Sequence, residues 1–258
     1  MEVRILGAHN LESRRTRHTC LLIDCVLALD AGSLASALTP AEQARISAVL
    51  LSHSHFDHIR DIPTLGLATL SQPEAIEVYS LPQTLSAVHS NLLNWEIYPD
   101  KTEPINGNDP KFRFHSVEPA AEFPLLDYRV EAVPVPHTVP SVGFIVTSSS
   151  GASVAYTGDT QGGLKPFFQE PNQPQLLFVE LTFPNRLKEL AQLTGHLTPC
   201  MLGAELKAGL KSCVTPPRVV AVHLSVEHQP EITEEIAALS QEMEIEVEIG
   251  YEGMRLVV

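Results

Sequence analysis

A dozen short, apolar, β-branched runs bounded by Gly, Asp or Pro recur along this chain, and they limit its fold more than any other feature. They fall at 3–6, 20–29, 48–51, 76–79, 112–117, 128–135, 142–146, 153–156, 176–179, 219–222, 245–249 and 254–258. Runs this short and this apolar read as strands buried on at least one face. Helical patterning lies between some of them. At 82–93, Pro82 stands in the first turn and Leu85, Val88, Leu92 and Leu93 share a stripe. The stretch 198–210 opens on Thr198-Pro199, a suitable N-cap and first-turn pair. Ile232, Ile236 and Leu239 line one face of 230–241, which has acidic residues in its first turn. A shorter helix is expected at 186–193. The strand-forming runs predict an α/β protein in which two packed sheets carry helices on their outer faces. At 258 residues the chain is read as a single domain, 1–258. The segment 103–110, rich in Pro, Asn, Gly and Asp, is expected to be a surface loop.

Charge restricts the partners. Seventeen basic against thirty-one acidic residues give a net charge of −14. Such a surface repels phosphate polymers, so non-specific binding to duplex DNA or long RNA is not expected. Cys20, Cys25, Cys200 and Cys213 form no C-x-x-C pair and no disulfide scaffold. The N-terminal residues read as a strand rather than a signal peptide, and no run of about 18 apolar residues occurs. A cytoplasmic protein without membrane contact is expected. A homodimer is left open.

The chemistry is concentrated in Ser52-His53-Ser54-His55-Phe56-Asp57-His58, which follows a buried strand. Three imidazoles and a carboxylate within six residues are the ligand types of zinc, manganese or iron. One segment cannot close a metal site, so further donors must come from elsewhere. His137, Asp159 and His223 each follow an expected strand. A rigid sheet aims the residues at its strand ends, which makes these three the candidates. His18, His89, His115 and His228 read as surface or packed histidines.

These residues resemble those of the metallo-β-lactamase superfamily of metallohydrolases. His53-x-His55-x-Asp57-His58 is similar to its signature, and His137, Asp159 and His223 match its later positions in order. Leu29-Asp30-Ala31-Gly32 is similar to its early Asp-x-Gly motif. The resemblance spans about 3–258. It implies an αββα sandwich with two metal ions, zinc foremost and manganese or iron as alternatives. One ion would be held by His53, His55 and His137, the other by Asp57, His58 and His223, with Asp159 between them. Asp30 would orient a ligand from outside.

Two further motifs point to a reaction. Phe178-Val179-Glu180-Leu181-Thr182-Phe183 and Gly195-His196-Leu197-Thr198 resemble a pair typical of the phosphodiesterase branch that includes tRNase Z, and the likeness is greatest to class II cyclic-nucleotide phosphodiesterases. The resemblance implies hydrolysis of a 3′,5′-cyclic nucleotide to the 5′-nucleotide. Asp57, Glu180 and His196 would be the catalytic residues, with His196 the acid and Glu180 its orienting carboxylate. A tRNase Z-like RNA 3′-processing endonuclease, or a lactonase or thioesterase, are the alternatives. The endonuclease would need a basic surface or arm, which a charge of −14 disfavours. Phe56, Phe144, Phe183 and Asn185 adjoin the motifs and are candidates to line a base pocket. His9, Arg14, Arg15 and Arg17 lie in an opening segment that also resembles the family's start.

Overall fold

The computed structural model describes residues 1–70, 72, 74–104, 107, 109–169, 173–213 and 215–258. Among these, fourteen strands form two seven-stranded sheets. The first contains β1 (Glu2–Gly7), β2 (Cys20–Ile23), β3 (Leu27–Leu29), β4 (Ala48–Leu50), β5 (Ile76–Ser80), β6 (Phe112–Ser116) and β14 (Arg255–Val257), in the order β14-β1-β2-β3-β4-β5-β6. The second contains β7 (Glu122–Leu125), β8 (Tyr128–Val135), β9 (Ser141–Ser148), β10 (Ser153–Tyr156), β11 (Leu176–Glu180), β12 (Arg218–Val222) and β13 (Val247–Ile249), in the order β13-β12-β11-β10-β9-β8-β7.

Period-2 alternation explains why both faces of each sheet are apolar. In β1, Val3 and Ile5 point into the space between the sheets, while Leu6 points outward. In β2, Leu21 and Ile23 point inward, and Cys20 and Leu22 outward. In the second sheet, Phe178 and Val220 face the first sheet, and Val179 and Ala221 face the opposite way. Each outer face is covered by helices. Leu34 (Leu34–Ala37), Leu65 (Ile62–Ala68) and Val88 (Pro82–Asn91) cover the first sheet. Leu202 and Leu206 (Pro199–Gly209) with Ile232 and Ile236 (Gln229–Met243) cover the second. The αββα expectation holds. No helix among the described residues is long and apolar enough to cross a membrane.

Strand direction selects the functional edge. β3 and β4 are parallel, and β1 runs with them because it is two antiparallel steps away through β2. β10, β11 and β12 are parallel, and β8 joins their direction through β9. The carboxyl ends of β8, β10, β11 and β12 therefore share one edge of the second sheet. Ser52, just past β4, accepts a hydrogen bond at its carbonyl from Val142 N at 3.0 Å, tying the first sheet to that edge.

The structure departs from the expected elements at few places. The run 20–29 is two strands, because Asp24 and Cys25 take left-handed φ of 46° and 62° and turn the chain. β7, Glu-Phe-Pro-Leu, carries too little apolar alternation to be read as a strand, and it sits at a sheet edge where its Pro124 needs no ladder partner. The helices Leu34–Ala37, Pro40–Gln43, Phe56–Ile59 and Ile62–Ala68 are too short to show a 3.6-residue period. At 103–110 no helix or strand occurs at the described positions; residues 105, 106 and 108 of that expected loop lie outside the described residues.

Candidate active site

Every donor predicted from the sequence reaches the shared edge. After β4 the chain passes through Leu51–His55 without regular structure, His55 itself extended, and the one-turn helix Phe56–Ile59 carries Asp57 and His58 to the same cluster as His53. His137 lies two residues past β8, Asp159 three past β10, and His223 directly after β12. His223 holds a left-handed φ of 60°, an uncommon conformation for a residue with a Cβ, and backbone strain of this kind concentrates at functional sites.

The donor atoms cluster in two overlapping sets. One ligand atom from each of His53, His55, His137 and Asp159 lies within 4.8 Å of the others, and so do those of Asp57, His58 and His223. Asp159 Oδ2 stands between the sets, 3.7 Å from His53 Nε2, 3.9 Å from His137 Nε2, 3.3 Å from His58 Nε2 and 3.5 Å from His223 Nε2. Asp57 Oδ2 is 3.4 Å from His58 Nε2 and 3.3 Å from His223 Nε2. His55 faces the cluster with Nδ1, 3.2 Å from His137 Nε2.

The ring orientations are set from behind. His58 Nδ1 donates to Asp30 Oδ2 at 2.7 Å. His53 Nδ1 meets Ser52 Oγ at 2.9 Å, and Ser52 Oγ donates to the same Asp30 oxygen at 2.8 Å. His137 Nδ1 donates to Gly195 O at 2.8 Å, and His223 Nδ1 meets Thr182 Oγ1 at 2.8 Å. With Nδ1 occupied, Nε2 of all four rings is aimed at the cluster. Gly195 has φ +78°, and a Cβ there would lie 2.6 Å from His137 Nδ1, so the close approach requires glycine.

This donor set fits divalent cations. Among the described residues His53 Nε2, His58 Nε2 and Asp159 Oδ1 are buried and make no hydrogen bond of good geometry, an arrangement that costs about 1–3 kcal/mol per group unless a ligand takes it up. The protonation states of His53, His137 and Asp159 agree. Burial pushes His53 well below the usual imidazole range and His137 down to about 4, which leaves both neutral and ligand-competent. Burial disfavours the charge on Asp159, yet His223 and His58 outweigh it and hold the carboxyl well below its usual range. His58 is also disfavoured as a cation by burial, but Asp159, Asp57 and Asp30 raise it.

Glu180 and His196 are built beside the donors. Glu180 is the last residue of β11 and is fully buried. Its Oε1 accepts from Leu197 N at 2.9 Å, Thr160 N at 3.2 Å and His196 Nδ1 at 3.2 Å. Burial works against the proton on His196, but the charge of Glu180 overrides it and pushes the imidazole up to about 9. His196 Nδ1 is 4.0 Å from Asp159 Oδ2. Asp159, His196 and His223 thus form a third donor set, but the near nitrogen of His196 is already engaged by Glu180.

The sequence profile of the beta-lactamase superfamily domain matches residues 19–224. The chain belongs to the beta-lactamase superfamily. Its metallo-β-lactamase fold is shared with unliganded yeast PDE1, at a TM-score of 0.84 and 17% identity over 100% of this chain and 99% of that one. It is also similar to the metallo-β-lactamase fold protein YhfI of Bacillus subtilis, with TM-score 0.76 and 19% identity over 99% of both chains. Human tRNase Z, short form, matches with TM-score 0.71 and 21% identity over 100% of this chain and 99% of that one. No curated protein sequence gives a significant match. Superfamily membership makes the chain a metal-dependent hydrolase whose His/Asp cluster can hold metal ions.

Other residues singled out from the beta-lactamase superfamily motifs have different places. Phe144 is fully buried between the sheets and cannot line a pocket. Asn185 Oδ1 accepts from Cys200 N at 2.7 Å and caps the helix Pro199–Gly209, where Thr198 makes no side-chain cap. Phe183 packs edge-on against His196, with centroids 5.8 Å apart, and Phe56 is 61% exposed beside His55. His89 and His115 pair with Asp100 and Glu77, as surface histidines do. Tyr156 was missed: its hydroxyl donates to Asp30 Oδ2 at 2.8 Å from inside the core, and an apolar strand gives no signal that its aromatic residue supports the site.

Proposed function

We propose that the chain is a phosphodiesterase that hydrolyses a 3′,5′-cyclic nucleotide to the 5′-nucleotide. The observation that carries this reading is the buried Glu180–His196 pair, which keeps a protonated imidazole beside the donor cluster. In this reading His53, His55 and His137 hold one divalent ion, Asp57, His58 and His223 hold the other, and Asp159 Oδ2 lies between them. Zinc is the ion favoured by an all-nitrogen-and-oxygen set of this kind, with manganese and iron next. When bound, the ions supply an acidified water and neutralise charge on the phosphoryl oxygens.

The chain's own residues handle the leaving group. As water adds to phosphorus, the P–O3′ bond breaks, and O3′ leaves as a strongly basic alkoxide unless it is protonated. His196 carries its second proton on Nε2, because Nδ1–H is directed at Glu180. Transfer of the Nε2 proton to O3′ completes the leaving group, and the neutral ring then regains a proton from solvent. A thioester leaves as a weakly basic thiolate and would make little use of such an acid, whereas a lactone's ring alkoxide would use it as the nucleotide's O3′ does, so a lactone belongs in the activity panel.

An activity panel on metal-loaded protein tests the reading: cyclic AMP, cyclic GMP, bis(p-nitrophenyl) phosphate, a lactone and pre-tRNA. Cyclic-nucleotide turnover is expected, with a shallow salt dependence, because few phosphates are contacted. A polynucleotide substrate would instead show a log–log slope of about 0.7–0.9 per neutralised phosphate. Efficient RNA cleavage with that slope and no cyclic-nucleotide turnover would replace this reading with the endonuclease. The position of Asp159 between the two donor sets gives a separate expectation. Asp159→Ala should lower the affinity for both ions, so that elemental analysis after dialysis finds well under half of the wild-type metal. Full retention of metal would remove Asp159 from the centre.

A further inference from the structure

The sequence has eleven arginines. Among the described residues seven of them face a carboxylate at 3.9 Å or less: Arg4, Arg60, Arg113, Arg129, Arg186, Arg218 and Arg255. In a chain of net charge −14 that is the ordinary outcome. Arg14, Arg15, Arg17 and Arg45 have no such partner among the described residues, and three of these four fall within four residues of one loop.

That loop, which joins β1 to β2, lies against the donor cluster. On one side Asn10 N donates to Leu224 O at 3.2 Å and Leu224 N to Ala8 O at 2.9 Å, directly beside His223. On the other side Glu12 pairs with Arg60, two residues past His58. At the base, a Cβ built on Gly32 would lie 2.1 Å from Asp57 O and 2.8 Å from His18 Cβ, so the end of the loop packs at the Asp57 backbone. The two flanks of the loop are therefore anchored beside the half of the cluster formed by Asp57, His58 and His223.

The carboxylates nearest the loop are engaged elsewhere. Glu252 Oε1 accepts from His9 Nδ1 at 2.7 Å and from Arg17 N at 2.8 Å, so it bonds the loop's backbone rather than its guanidinium groups. Glu12 is taken by Arg60. Ser13 and Thr16 close the tip, with hydroxyls 2.7 Å apart. The loop is fixed at both flanks and at its tip while Arg14 and Arg15 stay exposed. A loop that carries three cations without carboxylate partners and is anchored beside a site on an otherwise anionic surface focuses anions there.

We infer that Arg14, Arg15 and Arg17 form the anion-recognition arm of the site, drawing in and holding the phosphate of a small anionic substrate. This inference rests on the phosphodiesterase reading for its substrate, and Arg45 supplies a matched control. Arg45 is exposed, lacks a carboxylate partner, and lies before β4, at the end of that strand opposite His53.

The test compares full-length, metal-loaded Arg14→Gln/Arg15→Gln with Arg45→Gln. The double variant should lose roughly tenfold or more in kcat/KM for cyclic AMP, mostly through KM, with the loss shrinking at high salt. Arg14→Lys/Arg15→Lys should recover much of it, and Arg45→Gln should match wild type. Unchanged KM in the double variant, or an equal loss in Arg45→Gln, would overturn the inference. Should wild type turn over no cyclic nucleotide, the functional reading has failed by itself, and calorimetric titration with inorganic phosphate then judges the loop alone. A roughly tenfold weaker affinity in the double variant supports the arm, and an unchanged affinity overturns it.

Discussion

His196→Ala is expected to slow hydrolysis of cyclic AMP by roughly 10²-fold or more while the protein keeps its metal and its fold. The imidazole is anchored through Nδ1 to the buried Glu180 and is one step removed from the donor atoms, so its loss opens no coordination position in the proposed scheme. What disappears is the proton delivered to O3′. Glu180→Gln should do less damage, because the ring remains while its orientation and its cationic form are less favoured. Leaving-group dependence is the diagnostic comparison. With bis(p-nitrophenyl) phosphate the departing phenolate is stable without a proton, so the defect in His196→Ala should shrink markedly. General damage to the site would slow both substrates alike. Equal losses on both, or loss of metal from His196→Ala measured by elemental analysis, would make His196 a ligand or a structural group instead. The proximity of its ring to Asp159 and His223 makes this comparison necessary.

Asp30→Ala should be the most destabilising single change near the site. Asp30 is fully buried, and its carboxylate accepts four hydrogen bonds: from Ser52 N at 2.7 Å, Ser52 Oγ at 2.8 Å, His58 Nδ1 at 2.7 Å and Tyr156 Oη at 2.8 Å. These partners come from the β4 loop, the helix Phe56–Ile59 and the second sheet, so a single carboxylate ties both sheets to the histidine segment. Removing it leaves a buried imidazole, a phenol and an amide without an acceptor. Breaking a buried charged pair in this way costs about 3–5 kcal/mol. For a chain of this size that corresponds to a Tm lower by roughly 10 °C. Asp30 also has φ +59°, which Asn tolerates better than Ala. Asp30→Asn should therefore lose less, though its amide NH₂ turns a donor toward groups that are themselves donors. Both variants should bind metal about 10–100-fold more weakly, because His58 and His53 lose the contacts that orient them. Differential scanning calorimetry on metal-free protein separates the two effects. A metal-free Asp30→Ala with a Tm within about 2 °C of wild type would show that the hydrogen-bond hub carries little of the stability.

The sequence by itself determined the kinds of element and the kinds of donor. Period-2 apolar runs specify strands because a strand buried on one or both faces must present apolar side chains at fixed intervals, and that signal is local. Nearly every expected run became a strand, and the misses were elements of four to seven residues, too short to show a period. The donors were legible for a similar reason. Four of them sit in one hexapeptide, and His137, Asp159 and His223 fall just past runs already read as strands. What only the tertiary structure decided was long-range. Which strands are neighbours, and which way each runs, put the ends of β8, β10, β11 and β12 on one edge facing the β4 loop. The same packing took Phe144 into the core and made Asn185 a helix cap, although both adjoin motifs as closely as Phe183 does. It also recruited Tyr156 across the interior to Asp30 and spent Glu12 and Glu252 away from the three loop arginines. Local patterning fixes the face on which a side chain emerges. What that face meets depends on contacts between residues up to 240 or more positions apart, such as Glu252 with His9, and those exist only once both sheets have closed on each other.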